Sequence, residues 1–161
     1  MTDRIGLVAT LSSTFREPFD IARLAATLDV ASGGRAAINV VTSQADDAAA
    51  QYGRERLPDR ETRYGRADEV LTVVKQLWDS WDPDALVADA PSGVLVDGGK
   101  VPTVDFAGQY VRLRGQFQFP RSVQGRPGIL QAGGSPQGVE LAAKHADAVF
   151  CLANSIPAGQ D

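Results

Sequence analysis

The residues with the clearest capacity for chemistry lie in three short polar stretches, each following an apolar run. They are Thr10-Leu11-Ser12-Ser13-Thr14-Phe15-Arg16, Thr42-Ser43-Gln44 and Gly133-Gly134-Ser135-Pro136-Gln137-Gly138. The third is the most informative. Two glycines let backbone approach a ligand closely, and a helix opened by Ser135 and Pro136 presents free N–H groups at a positive dipole end. That suits a phosphate. It equally suits a tight turn with Ser135 as a plain helix cap, and no Gly-x-Gly-x-x-Gly or P-loop pattern decides between the two. Thr10 and its hydroxyl-bearing neighbours could donate to a ring nitrogen or carbonyl of a cofactor, or satisfy local backbone instead. Tyr64, in Arg60-Glu61-Thr62-Arg63-Tyr64, could stack on or bond to a ligand, or cover the first turn of the helix after it.

Other chemistries lack material. A single histidine, His145, leaves no His-based metal site and no hydrolytic triad. Cys151 alone cannot form an internal disulfide, and its apolar neighbours predict a packed core thiol rather than a nucleophile. No side chain stands out as a general acid or base. The net charge of −4, with no basic stripe, argues against binding a nucleic-acid backbone. Neither the opening MTDRIGLVAT nor any later segment has an apolar run of signal-peptide or membrane-spanning length, which points to the cytoplasm. With 43% apolar and 22% charged residues over 161 positions, one globular domain is expected.

The elements that must position these residues can be read from the same pattern. Near-continuous apolar runs predict buried parallel strands at Ile5–Leu11, Ala36–Ser43, Gly128–Ala132 and Ala148–Leu152. Between them come helices. Pro18 opens one that sets Phe19, Ala22, Leu24, Ala25 and Leu28 toward one side and stops at Gly33-Gly34. A second runs from about Arg66 to Trp81, with Val70, Val73, Val74, Leu77 and both tryptophans in the core and Asp68, Glu69, Lys75 and Asp79 in water. Ser135-Pro136 starts the third, through Val139, Leu141, Ala142 and Ala143. Alternating strands and helices imply parallel strands with right-handed crossovers and ligands at the strands' carboxyl ends. One excursion interrupts, at about 82–126. Its first half is loop-like, and its second half, Val104 to Phe119, is extended and hairpin-like.

Long blocks of the chain resemble the nitrilotriacetate, EDTA and dibenzothiophene-sulfone monooxygenases of the bacterial-luciferase-like superfamily. They are RIGLVATLSSTFREPFDIARLAATLDVASGGRAAINVVTS, RYGRADEVLTVVKQLWDSWDPDAL, KVPTVDFAGQYVRLRG and FPRSVQGRPGILQAGGSPQGVELAAKHADAVF, in that order from about Asp3 to Phe150. The resemblance implies a TIM-like (β/α) barrel and an enzyme that uses reduced FMN and oxygen to oxidise a small organic substrate. A separate NADH-dependent FMN reductase would supply the reduced flavin. By the same resemblance Thr10 and Tyr64 contact FMN, and Ser135 does so on the phosphate side. Arg60 stands where the family often has a histidine, and could meet an anionic group. A complete barrel has eight units and about 250 residues. Four strands therefore imply a partial barrel, roughly units three to six, within a single domain over 1–161. The family's early aspartate contact to FMN has no counterpart, and the tail CLANSIPAGQD departs from the family. A truncated gene product is expected on that basis. The competing readings are a non-catalytic remnant or interaction module, and a small phosphate-ligand binder that uses the Ser135 loop alone. Missing neighbours would also leave two strand edges open, so self-association or a homo-oligomer is expected.

Overall fold

The computed structural model describes residues 2–151. Four strands form one sheet in the order β1-β2-β7-β8: β1 (Leu7–Ser12), β2 (Ala36–Val41), β7 (Gly128–Gln131) and β8 (Ala148–Val149). All three pairings are parallel, as the strand–helix alternation predicts. The register levels Thr10 with Asn39, Asn39 with Leu130, and Leu130 with Ala148, so every strand ends on the same rim.

Side chains alternate across this sheet. Ile38, Val40 and Ile129 are buried on one face, where α1 (Pro18–Ser32) and α3 (Arg60–Asp79) pack with Ile21, Ala22, Ala25, Val70, Val74 and Leu77. Fully burying each of the larger aliphatic side chains contributes about 1.5–3 kcal/mol. The tryptophans anchor the layer. Trp78 Nε1 donates to the Ala22 carbonyl at 3.0 Å, and Trp81 Nε1 to the Phe117 carbonyl at 2.6 Å. The first bond ties α3 to α1, and the second ties the end of α3 to the excursion. On the sheet's other face Thr10 is exposed.

Several expectations are corrected. Helix α3 begins six residues before the predicted Arg66, because Asp59 caps it by accepting from the Thr62 amide at 2.8 Å. That puts Tyr64 inside the helix rather than before it. On α1 the core face is Ile21, Ala22, Ala25, Ala26 and Asp29, while Leu24 and Leu28 point outward. Val139 on α4 (Pro136–His145) is exposed too. A short helix, α2 (Asp46–Ala50), follows β2 where no element was predicted. The first half of the excursion is a hairpin, β3 (Leu86–Asp89) with β4 (Val94–Val96), whose turn uses Gly93 at φ +71°, while Ala88 at φ +50° marks a break in register within β3. The second half is the expected antiparallel pair, β5 (Val104–Ala107) with β6 (Arg112–Gly115). Cys151 is exposed rather than packed, since it follows an edge strand with no neighbour beyond it in the sheet among the described residues. The predicted fourth strand shortens to Ala148–Val149, and its last residue, Leu152, lies outside the described residues.

Candidate functional site

The first three turns of α3 hold the rim together. Arg63 reaches the end of β2, donating through Nη1 to the Thr42 carbonyl at 3.4 Å and more closely to the Ser43 carbonyl. Arg66 binds the β1–α1 loop through the carbonyls of Ser13 at 3.0 Å and Arg16 at 3.2 Å, and pairs with Glu17 at 2.9 Å. Glu69 accepts three amides of the β5–β6 turn, from Gln109 at 2.7 Å and from Tyr110 and Val111 at 2.8 Å. Between these, Gly65 leaves room for Tyr110: a Cβ there would lie 2.6 Å from the tyrosine ring. Glu69 was expected in water, and the turn it caps explains why it is not.

Tyr64 OH and Ser135 Oγ meet at 3.2 Å. The helix-cap reading of Ser135 is realised, since its Oγ accepts from the Gly138 amide at 3.2 Å. The two glycines have separate jobs. Gly133 and Gly138 touch backbone to backbone, so a Cβ on Gly138 would sit 2.9 Å from the Gly133 carbonyl oxygen. Gly134 has open space where a Cβ would be, so its backbone is reachable. Tyr64 and Gly133 line a cavity of about 200 Å³ between the carboxyl ends of β2 and β7, together with Val41, Thr42, Ser43 and Gln131. Ser43 holds φ at +56°, a left-handed conformation that costs a non-glycine residue about 1–2 kcal/mol. Its hydroxyl bonds to Ser12 Oγ at 2.9 Å, and with Arg63 on its carbonyl the conformation is held from two sides.

Thr10 and Arg60 stand apart from this pair. Thr10 lies one layer below the rim, where its hydroxyl accepts from Asn39 Nδ2 at 3.3 Å. It is on the open face of the sheet and does not line the cavity. Arg60 is the first residue of α3, exposed, with no hydrogen bond among the described residues. It sits one helical turn from Tyr64 on the same side. Sequence reasoning missed Asn39 and Arg63. A signal existed for Asn39, the one polar residue in the apolar run AAINVV. None existed for Arg63, one of several arginines in its stretch.

At the far end of α4 a second polar contact joins the two helices. Asp68 accepts from Lys144 Nζ at 2.7 Å and meets His145 Nε2 at 2.6 Å. Burial pushes the His145 imidazole below its usual range, only partly offset by Asp68. Burial also raises the Asp68 carboxyl, but bonds from Lys144 and His145 outweigh it and hold the group below its ordinary value. No group of three or more acidic, histidine or cysteine side chains that could hold a metal occurs among the described residues.

A four-stranded parallel sheet with α1 and α3 on one face and a polar rim at the carboxyl ends of its strands defines an α/β protein. Comparison with known proteins narrows this. The family model for luciferase-like monooxygenases matches residues 1–160, and the chain belongs to that family. The match runs past Phe150, so the tail read as divergent falls within it. Dibenzothiophene-sulfone monooxygenase of Rhodococcus erythropolis is 50% identical over 156 residues, 97% of this chain and 34% of the relative. A crystal structure of a long-chain alkane monooxygenase superposes with a TM-score of 0.90 at 35% identity, covering 98% of this chain and 36% of the other. A riboflavin lyase determined with modified FMN and riboflavin gives 0.88 at 37% identity, covering 97% and 35%. The chain therefore spans about a third of the length of the relatives it matches. No helix among the described residues is long and apolar enough to cross a membrane.

Proposed function

We propose that the chain forms one side of the FMN site of a two-component monooxygenase, one that takes reduced FMN from a separate NADH:FMN reductase and oxidises a small organic substrate with oxygen. The observation that carries this is the Tyr64–Ser135 contact at the mouth of α4, beside the open backbone of Gly134. The residues present fit the phosphate end of a flavin. The Ser135 hydroxyl and the Gln137 amide, the first in α4 because Pro136 has none, offer donors, Tyr64 offers a hydroxyl, and the helix dipole favours negative charge. Arg60, one turn above Tyr64 and otherwise unengaged among the described residues, adds a cation where the family often has histidine. Thr10 and Asn39 would meet polar edges of the ring from the sheet face. When bound, the flavin supplies the redox chemistry. The protein's own work is to hold it, orient the substrate and exclude water, for no side chain at the rim is set up as a general acid or base.

Titration of the purified chain with FMN and with riboflavin tests this. FMN should bind more tightly, and Ser135→Ala and Arg60→Ala should remove most of the difference. Equal affinity for the two flavins in the parent chain would overturn the phosphate assignment.

A further inference from the structure

Resting on the FMN reading above, we propose that Asp68 is a positioning residue for that site: it sets the place of Ser135 by holding the opposite end of α4. Helices α3 and α4 are fastened at two points along their shared length. At the rim, Tyr64 meets Ser135 at 3.2 Å. One turn further along α3, Asp68 holds both Lys144 and His145, at 2.7 and 2.6 Å. Tyr64 and Asp68 are four residues apart and so lie on one side of α3. Ser135 and His145 bracket the ten residues of α4, about 15 Å of helix. Burial of Leu141 and Ala142 and the Gly133–Gly138 backbone contact seat α4 on the core, while its polar fastening at the rim is a single neutral contact. Held at both ends, its N-terminus has a fixed position, and the amides and hydroxyl there keep their aim.

The partners of Asp68 favour this role. Lys144 and His145 are consecutive, so one carboxylate grips the last turn of α4 with both oxygens. His145 is 5% exposed and its Nδ1 has no partner among the described residues, so the ring gains its polar contact from Asp68 through Nε2. The other charges near this end belong to Lys75 of α3, whose Nζ donates to the Lys144 carbonyl at 3.5 Å, and to Arg126 and Asp147, which pair with each other at 3.2 Å before β7 and β8. None of them replaces Asp68 as an acceptor for His145. Neither Asp68 nor His145 lines the rim cavity, so the effect on the flavin site passes through α4.

Asp68→Asn, Asp68→Glu and Lys144→Ala decide it with two measurements. The first is the ratio of FMN to riboflavin affinity. Loss of a charge-assisted bond amounts to about a tenfold change or more in an equilibrium. Asp68→Asn should lower FMN affinity by about that factor while riboflavin changes little, Lys144→Ala should do so in part, and Asp68→Glu should restore most of it. A proportional loss for both flavins would mean general destabilisation and overturn the inference. The second needs no flavin. Amide exchange at Gly138, whose N–H donates to Ser135 Oγ, should quicken about tenfold in Asp68→Asn while α1 is unchanged. Unchanged exchange at Gly138 would overturn the inference. If the parent chain binds neither flavin, the FMN reading fails and the exchange result still decides on Asp68.

Discussion

Removing the Glu69 carboxylate should loosen the second half of the excursion and weaken the whole domain. The carboxylate is the acceptor for three consecutive backbone amides at 2.7–2.8 Å. They are not equally costly to abandon. Gln109 is exposed, and water takes over for its amide. Tyr110 is half-buried and Val111 is 3% exposed, so two N–H groups lose their acceptor where water reaches poorly. A bond to a charged acceptor contributes about 1.5–3 kcal/mol, and a buried donor left unpaired costs about 1–3 kcal/mol. Glu69→Ala should therefore cost about 2–4 kcal/mol, a large share of the stability of a domain this size. Glu69→Gln keeps one oxygen but turns an NH2 group toward an amide donor, and should cost about 1–2 kcal/mol. Urea denaturation of the parent and both variants gives the numbers, and exchange at 109–111 shows where the loss falls. If Glu69→Ala stays within about 0.5 kcal/mol of the parent, like an ordinary surface change, the cap does not hold the turn.

Three further outcomes follow from the same geometry. Stability should fall on acidification in two steps. His145 and Asp68 both titrate below their ordinary values of 6.5 and 3.8 in the folded chain, so the unfolded chain takes protons first as pH drops below each value. His145→Gln should flatten the upper step in a pH series of denaturation curves, and an unchanged upper step would refute its origin in His145. Gly65→Ala gains about 1 kcal/mol of helix propensity at an exposed site, but here the new methyl meets the Tyr110 ring, so the variant should be less stable than the parent. A more stable variant in urea would show that the ring moves aside freely. Among the described residues the outer strands β1 and β8 leave Leu7, Val8, Val149 and Phe150 exposed beside unpaired edges, so the isolated chain should self-associate and should not oxygenate substrate even with a flavin reductase present. A cooperatively unfolding monomer at micromolar concentration, or turnover by it, would count against that.

The sheet was legible because its strands carry near-continuous apolar runs, although only the helix-facing side of the sheet is buried. Runs such as AAINVV leave little choice but a central parallel strand, and Pro18, Gly33 and Ser135 punctuate the helices where they start and stop. Contacts that depend on side chains reaching across the fold were not legible. Asp68 and Glu69 look like the solvent face of an amphipathic helix, and only the position of α4 and of the β5–β6 turn gives them partners. Leu24, Leu28 and Val139 carry the inverse lesson, for their apolar character falls on a surface that no neighbour covers among the described residues. At the rim, Ser135 and Tyr64 could be nominated from the sequence, but their meeting could not, because 71 positions separate them.

Arg63, Arg66 and Glu69, three of the polar anchors on α3, share one property in how they reach the loops. Arg63 grips carbonyls of Thr42 and Ser43, Arg66 grips carbonyls of Ser13, Arg16 and Tyr110, and Glu69 grips amides of Gln109, Tyr110 and Val111. These bonds hold main chain, which every residue type carries, save that proline lacks the amide. Most loop side chains are thus released from architectural duty. The scaffold can trade one loop sequence for another without renegotiating its frame, while the helix that ties the loops stays the same.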